Sequence, residues 1–258
     1  MNRYAGFALS LVGLAFAASA ATPASRSKAI PDIGGTWETV RDVSRVIVDE
    51  KGGTRPQYQV AAVQQAQLKP QYQQEKEARA KAASAADASG APIVGRTAQC
   101  QGSGMPHMMN GTFPTEILQS KGQITIIQEI YTQVRRIYLD KPQKKLEDLE
   151  PGFYGHSVGH WENGVLYVDT IGIKAAWNMG TPNSDQIHVK EKIYLGADGL
   201  LHDDITVEDP VVLEAPYSYT VTYKPLPEYE MLEYICEDNH YYIDANGRQA
   251  VRPEASGK

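Results

Sequence analysis

The sequence predicts a mainly β protein: a single antiparallel β-barrel, or a barrel-like sandwich, with a helical N-terminal arm. Three observations support this fold. Roughly ten short apolar or alternating runs follow residue 100, as in barrels and sandwiches. Turn signals such as Lys121-Gly122 and Asn163-Gly164 separate these runs. Helical composition is confined to residues 60–86.

The predicted strands occupy most of the second half of the chain. They cover residues 115–119, 124–131, 134–139, 154–171 (a hairpin), 187–195, 200–208, 217–223 and 229–236. Each run alternates apolar and polar residues or is continuously apolar, as strands with one or two buried faces do. Residues 100–245 therefore form the predicted β-barrel domain, and residues 246–258 are predicted to be a flexible tail.

The N-terminus has the composition of a secretory signal. A short basic start precedes an apolar run at residues 5–18, and Ala18-Ser19-Ala20 fits a signal-peptidase site. The run of about 14 residues is shorter than the ~20 that a membrane-spanning helix requires. We therefore expect residues 1–20 to be removed and the mature protein to be periplasmic or secreted, not membrane-spanning.

Residues 21–99 are predicted to hold a flexible leader, the first strands and the helical arm. Gly34-Gly35-Thr36-Trp37 opens a first strand, and a second short strand follows at residues 44–49. Residues 60–86 are rich in Ala, Gln, Glu and Lys, which favour helix. Pro70 ends one helix or begins the next, and the weak apolar stripe predicts a solvated helix.

Charge and cysteine content restrict the function classes. The net charge is −6 and no Lys/Arg cluster is present, which argues against a nucleic-acid partner. In an exported chain, Cys100 and Cys236 predict one disulfide. Two buried thiols or a metal pair are the alternatives. No CxxC spacing exists, so no redox motif is expected.

The hairpin carries the best candidates for chemistry. Asn163-Gly164 tolerates the positive φ of a two-residue type I′ turn, which sets the register of the two strands. Because side chains alternate between faces, one face is polar. It carries His156, His160, Tyr167 and Asp169. A carboxylate fixes the tautomer of a catalytic histidine; the alternative is a hydrogen-bonded histidine on a partly wet sheet face.

A metal site at this hairpin is not expected. Residues four apart on a strand lie ~13 Å apart, too far for His156 and His160 to bind one ion. Helical spacing would bring them together, but Gly155 and Gly159 argue against a helix. We therefore expect neither a metal nor a cofactor. Ser157 points to the opposite face and lies within a strand, which argues against a serine hydrolase.

Two carboxylates interrupt apolar stripes of later strands. Glu191 shares a face with Val189, and Asp203 shares one with Ile205. Burial raises the pKa of a carboxyl, which suits a general acid or base near neutral pH. A buried carboxylate is nevertheless costly unless it is paired. Pairing with an arginine of residues 134–139 is therefore the structural alternative.

The aromatic residues are mostly tyrosines, with 15 Tyr against 4 Phe. A tyrosine combines an apolar body with a hydroxyl that needs a partner. Tyr217, Tyr219 and Tyr223 share one face, which suits a cavity for a small hydrophobic or aromatic molecule and suits an ordinary core almost equally well. The candidate substrate-binding residues are Tyr167, Trp177, Asp203 and Tyr219.

The hairpin YGHSVGHWENGVLYVDT resembles the GHSIGRWEGDTLVVDT-like hairpin of a large family of exported bacterial proteins. Other segments resemble the family's Cys and Gly-Met-Pro motifs and its HVTER-like and TIDDP-like segments. The matching segments lie at residues 100–106, 154–170, 187–192, 204–210 and 233–237. The opening Gly34-Gly35-Thr36-Trp37 is distantly similar to the first strand of lipocalin-like barrels. The resemblance covers about residues 100–238 and implies no particular reaction.

The departures from the family pattern narrow the candidate site. His160 and His107 stand where the pattern has Arg, so His160 is not expected to be a shared catalytic group. Four residues match the pattern and are the candidate catalytic residues: His156, Asp169, His188 and Glu191.

These features predict a cofactor-independent acid–base enzyme, a lyase, isomerase or hydrolase, acting on a small apolar or aromatic molecule in a barrel cavity. His156, oriented by Asp169, would move a proton, and Glu191 would be the partner acid or base. The alternative is a non-catalytic, lipocalin-like periplasmic carrier. A third possibility is an envelope protein–protein module that docks through the helix at residues 60–86.

Overall fold

The computed structural model describes residues 30–40, 46–48, 54–56, 66–90, 100–178, 181–236, 241–243 and 249–251. The predicted signal peptide lies outside these residues, as do most of the leader and the first part of the helical arm. Of the predicted tail, residues 249–251 are described and form a strand.

The strands are β1 (Gly35–Thr39), β2 (Val46–Val48), β3 (Thr54–Pro56), β4 (Thr115–Ser120), β5 (Gln123–Gln128), β6 (Gln133–Leu139), β7 (His156–Glu162), β8 (Val165–Ile171), β9 (Ala176–Asn178), β10 (Thr181–Asn183), β11 (His188–Leu195), β12 (Leu201–Glu208), β13 (Tyr217–Pro225), β14 (Tyr241–Ile243) and β15 (Gln249–Val251). Among the described residues, nine of them close into a barrel in the order β1-β13-β12-β11-β8-β7-β6-β5-β4. The remaining strands pair as β2–β3, β9–β10 and β14–β15. The predicted fold class is confirmed.

One pair of barrel strands departs from the predicted antiparallel arrangement. β6 and β7 run parallel, with Ile137 opposite Ser157. Parallel neighbours cannot be joined by a tight turn, so residues 140–155 cross back along the barrel and include a 3₁₀ turn at Leu146–Asp148. This crossover contributes residues to the site described below.

The helical arm is α1 (Pro70–Ala88), which is exposed along most of its length. Pro70 begins the helix, where its missing N–H costs no hydrogen bond. The segment before it is anchored to the barrel, since Leu68 bridges Leu213 and Lys69 N–H donates to the Val212 carbonyl at 2.9 Å. No helix among the described residues combines the length and apolarity needed to cross a bilayer.

The β7–β8 hairpin has the predicted register. Asn163 and Gly164 have φ of 51° and 84°, the positive values that a type I′ turn requires. His160 lies opposite Tyr167, and Val158 lies opposite Asp169. The turn chemistry alone was therefore sufficient to align these two strands.

The barrel interior is packed with side chains. Alternate residues of each strand point inward, including Ile124, Leu166 and Ile205, all essentially unexposed. A void lined by Trp37, Asp203 and other core residues measures about 10 Å³, which is at most enough for a single water molecule. This void has no room for the small molecule that the sequence predicts in a barrel cavity.

Residues 229–236 form no strand, contrary to the prediction. Leu232 is 65% exposed, so the apolar pattern of this run does not reflect burial in a sheet. The Glu129 carboxylate accepts hydrogen bonds from Leu232 N–H at 3.0 Å and from the Tyr229 hydroxyl at 2.7 Å. The segment ends at the predicted disulfide, which joins Cys236 to Cys100.

Candidate functional site

The polar face of the β7–β8 hairpin lies on the outside of the barrel and continues across β11 and β12. Strand pairing places residues of these four strands side by side in rows. The first row consists of His160, Tyr167, Lys192 and Asp204. The second row consists of Val158, Asp169, Lys190 and Thr206. Their neighbours along each strand point into the barrel.

These two rows, with Asp140 and Lys141 from the crossover, line what we call the outer groove, with a volume of about 430 Å³. Small-molecule sites typically measure ~300–1,000 Å³. The outer groove therefore has room for a ligand that the barrel interior does not have. The candidate binding site lies outside the barrel rather than within it.

A stacked pair of aromatic rings, which we call the aromatic platform, lines the first row of the groove. The rings of His160 and Tyr167 stack with centroids 5.5 Å apart and an interplanar angle of 14°. Lys192 Nζ lies 5.9 Å from the Tyr167 ring centroid. Of the four predicted substrate-binding residues, Tyr167 is the one that the structure places in the groove.

A chain of polar contacts begins at the second row and leads away from the groove. His188 Nε2 lies 2.7 Å from Asp169 Oδ2, and Gln143 Nε2 donates to Asp169 Oδ1 at 2.9 Å. Gln143 Oε1 lies 2.8 Å from His156 Nδ1. On the other side, His188 Nδ1 lies 3.7 Å from Glu208 Oε2. The structure thus joins three of the four predicted catalytic residues in one network.

The orientation of the Gln143 amide determines the tautomer of His156. Gln143 Nε2 donates to the backbone carbonyls of His156 at 3.3 Å and Asp169 at 3.1 Å, and Oε1 accepts from Lys144 N–H at 3.0 Å. Oε1 therefore faces His156 Nδ1, which must carry the proton. Nε2 is left as the basic nitrogen. We expected Asp169 to orient His156 directly, but Gln143 lies between them.

Electrostatics favour a neutral His156 and an ionised Asp169 in this network. Partial burial, and then the positive charge of Lys144, lower the pKa of His156. The hydrogen bond from His188 is the largest cause that lowers the pKa of Asp169. At neutral pH, His156 is therefore a neutral imidazole able to accept a proton, and Asp169 is a carboxylate.

Glu191, the fourth predicted catalytic residue, lies inside the barrel. Arg135 Nη1 donates to Glu191 Oε1 at 2.7 Å, and Nη2 donates to Oε2. Arg135 also donates to Ser157 Oγ at 3.2 Å and to Thr170 Oγ1 at 3.0 Å. Because His188 lies on the opposite face of β11, Glu191 cannot act beside the histidines. Glu191 therefore pairs with an arginine of residues 134–139, which the sequence offered as the alternative to a catalytic role.

Asp203 is also buried in the barrel, with 0% of its surface exposed. No hydrogen-bond donor among the described residues reaches either carboxyl oxygen. Burial, and next the neighbouring Glu191 carboxylate, raise the pKa of Asp203 well above its usual value. Burial and Glu191 therefore favour the protonated form of Asp203, which avoids a second negative charge beside one arginine. It has no access to a ligand in the outer groove.

The other two predicted substrate-binding residues also lie away from the groove. Tyr219 is 6% exposed inside the barrel, and its hydroxyl accepts a hydrogen bond from Asn110 Nδ2 at 3.3 Å. Trp177 lies on β9, where the Arg79 guanidinium of α1 is 4.5 Å from the ring centroid. The tyrosine-rich face is thus part of the core, and Trp177 helps to hold the helical arm.

The sequence analysis did not identify Gln143 or Lys192 as site residues. Gln143 lies in an irregular crossover, and no local pattern indicates that it returns to the hairpin. Lys192 could have been found only from the register between β8 and β11, which no tight turn sets. Within the described part of the chain, no three His, Cys, Asp or Glu side chains are grouped so that they could hold a metal ion.

Two comparisons with known proteins were negative. No protein-family model matches the chain, and no curated protein matches it.

Proposed function

We propose that this chain binds a small aromatic molecule in the outer groove. The observation that carries the proposal is the stacked His160–Tyr167 pair that lines a groove of about 430 Å³. A planar ring packed against this pair, offset-stacked or edge to face, would gain ~0.5–1.5 kcal/mol beyond the apolar area it buries. The closed barrel supplies a rigid support for the platform.

Binding of 2-naphthylmethanol, followed by NMR of the ¹⁵N-labelled chain, tests this proposal. We expect shifts at residues of β7, β8 and β11, and a loss of affinity of up to about tenfold for Tyr167→Leu. Tyr229→Leu is the matched control, because Tyr229 is a half-buried tyrosine outside the groove lining, where its hydroxyl donates to Glu129 at 2.7 Å. Equal losses for both variants, or shifts confined to another surface, would contradict a groove site.

Acid–base catalysis is a second candidate function, favoured by the fixed tautomer of His156. Its Nδ1–H is held by Gln143, so Nε2 can accept a proton without rotation of the ring. His156 lies on β7 two residues before Val158, which lines the groove. Two residues along a strand span ~7 Å. An extended ligand in the groove could therefore bring a reacting atom near Nε2.

Turnover assays on small-molecule extracts of the protein's own host separate the two functions. A carrier should retain a ligand through purification and form no product, as followed by native mass spectrometry. An acid–base enzyme should form product, lose it in His156→Gln, and keep its thermal midpoint. His202→Gln, a histidine on the same outer surface but outside the groove lining, is the control.

We also infer that the protein is exported. The Cys100–Cys236 disulfide supports this inference, because structural disulfides persist in oxidising compartments. The signal-like composition of residues 1–20 and the resemblance to an exported family point the same way. N-terminal sequencing of the mature protein should find a chain that begins after Ala20; an intact N-terminus would argue against cleavage.

A further inference from the structure

We propose that the ligand of the outer groove is an aromatic anion, such as an aryl carboxylate. This inference rests on the proposed function and adds the charge of the ligand to it. It follows from which charged groups in the groove already have hydrogen-bond or ion-pair partners within the protein, and from the position of Lys192 beside Tyr167.

Most carboxylates of the groove already accept hydrogen bonds from other residues of the protein. Asp169 accepts hydrogen bonds from Gln143 and His188. Asp204 accepts one from Thr220 Oγ1 at 2.6 Å. The side chain of Glu191 leaves the groove for the barrel interior, where it pairs with Arg135. The charges of Asp169 and Asp204 remain, because a hydrogen bond from a neutral donor does not remove the charge of a carboxylate, but part of their acceptor capacity is already used within the protein.

Two of the three groove lysines form no ion pair among the described residues. Lys190 pairs with Glu208 at 2.7 Å. Within the part of the chain that the structure describes, neither Lys192 nor Lys141 forms an ion pair with a carboxylate. The groove as a whole is not positive, because the charges of its three lysines are balanced by three aspartates, Asp140, Asp169 and Asp204. Lys192 and Lys141 nevertheless keep N–H donors that no carboxylate of the described residues occupies, and the Lys192 donors lie beside the aromatic platform.

The position of Lys192 specifies the shape of the ligand. Lys192 lies directly opposite Tyr167 across the β8–β11 pair, and its ammonium is 5.9 Å from the ring centroid. A ring packed against the His160–Tyr167 pair could direct a short substituent along the first row to this ammonium. A carboxylate there can accept a charge-assisted hydrogen bond, which a neutral substituent cannot equal.

Three probes of matched size test the proposal: 2-naphthoate, 2-naphthylmethanol and 2-naphthylmethylamine. We expect 2-naphthoate to bind about fivefold more tightly than the alcohol, the upper range for a partly exposed ion pair, and the amine to bind most weakly. Lys192→Met should remove the preference for the acid, so that the acid and the alcohol bind the variant with equal affinity. Lys121→Met, at the exposed β4–β5 turn, should change neither affinity.

The outcomes separate this inference from the proposed function. If the alcohol or the amine binds the wild-type groove as tightly as the acid, the ligand is not an anion, although the aromatic site stands. If the preference for the acid survives Lys192→Met, the assigned recognition group is wrong. If no probe binds, or if binding ignores Tyr167→Leu, the proposed function itself fails.

Discussion

Arg135 and Glu191 form a doubly hydrogen-bonded ion pair inside the barrel, and both side chains are 0% exposed. Removing one partner leaves an uncompensated buried charge. We expect Glu191→Ala to lower the free energy of unfolding by about 3–5 kcal/mol. Glu208→Ala, which breaks the exposed pair with Lys190, should cost less than about 1 kcal/mol. Urea unfolding compares them, and similar small losses would show that the buried pair is not needed.

Asp203 should make stability depend on pH. Above its ordinary pKa of 3.8 the carboxyl is ionised in the unfolded chain, while burial and Glu191 favour its protonated form in the folded chain. Folding then takes up a proton, so this residue's contribution to stability falls as the pH rises above about 4, until the pH reaches the folded-state pKa. Asp203→Asn removes this titration.

We therefore expect Asp203→Asn to become more stable relative to the wild type between pH 4 and pH 7. Urea unfolding at the two pH values measures this difference. Asp204→Asn, on the outer face of the same strand, is the control. A stability difference that does not change with pH would mean that Asp203 is ionised in the folded chain.

Lys144 should influence the titration of His156. Partial burial is the main cause that lowers the pKa of His156, and the charge of Lys144 is the second. Lys144→Met should therefore raise the pKa of His156 while leaving it below 6.5, because burial remains. Lys145→Met, beside it in the chain and paired with Glu147, should have little effect. Histidine NMR titration measures both, and an unchanged pKa in Lys144→Met would contradict the assignment.

The His188–Asp169 contact should contribute stability that is lost only in acid below about pH 3.8. The hydrogen bond from His188 lowers the pKa of Asp169, so the resulting stability is present above pH 3.8 and is lost as the pH falls through the lower folded-state pKa. His188→Leu should raise the pKa of Asp169, measured by ¹³C NMR of the carboxyl. His202→Leu serves as the control, and a shift in that variant instead would refute the pairing.

The Cys100–Cys236 disulfide should contribute substantially to stability. It closes a loop with a sequence separation of 136 residues, and the chain-entropy model assigns such a loop about 5 kcal/mol. The double variant Cys100→Ser/Cys236→Ser should lose stability of this order in urea unfolding. A loss below about 1 kcal/mol would indicate that the rest of the structure already holds residues 229–236 in place.

Much of the fold could be predicted because its determinants are local. Asn163-Gly164 specified the hairpin register, and side-chain alternation placed Glu191 and Asp203 on buried faces. Residues 229–236 show where this reasoning fails, since an apolar pattern alone does not form a strand. There, hydrogen bonds to Glu129 and the disulfide hold an irregular segment.

The site was harder to predict than the fold. The sequence indicated that His156, His160, Tyr167 and Asp169 share a face, but not whether that face lies inside or outside a barrel. Glu191 was assigned to the same site because it matches the family pattern, which does not show that its side chain points into the barrel and pairs with Arg135. Gln143 was missed because its position depends on the crossover between two parallel strands.

By itself, the sequence determined the strand-rich fold class, the hairpin register and the alternation of buried and exposed positions, because turn geometry and side-chain alternation act between near neighbours. Only the tertiary structure decided that the interior is filled, that Glu191 pairs with Arg135, and that the groove lies outside. Those outcomes depend on closure of the barrel and on the return of residues 140–155, which bring together groups that are distant in the chain.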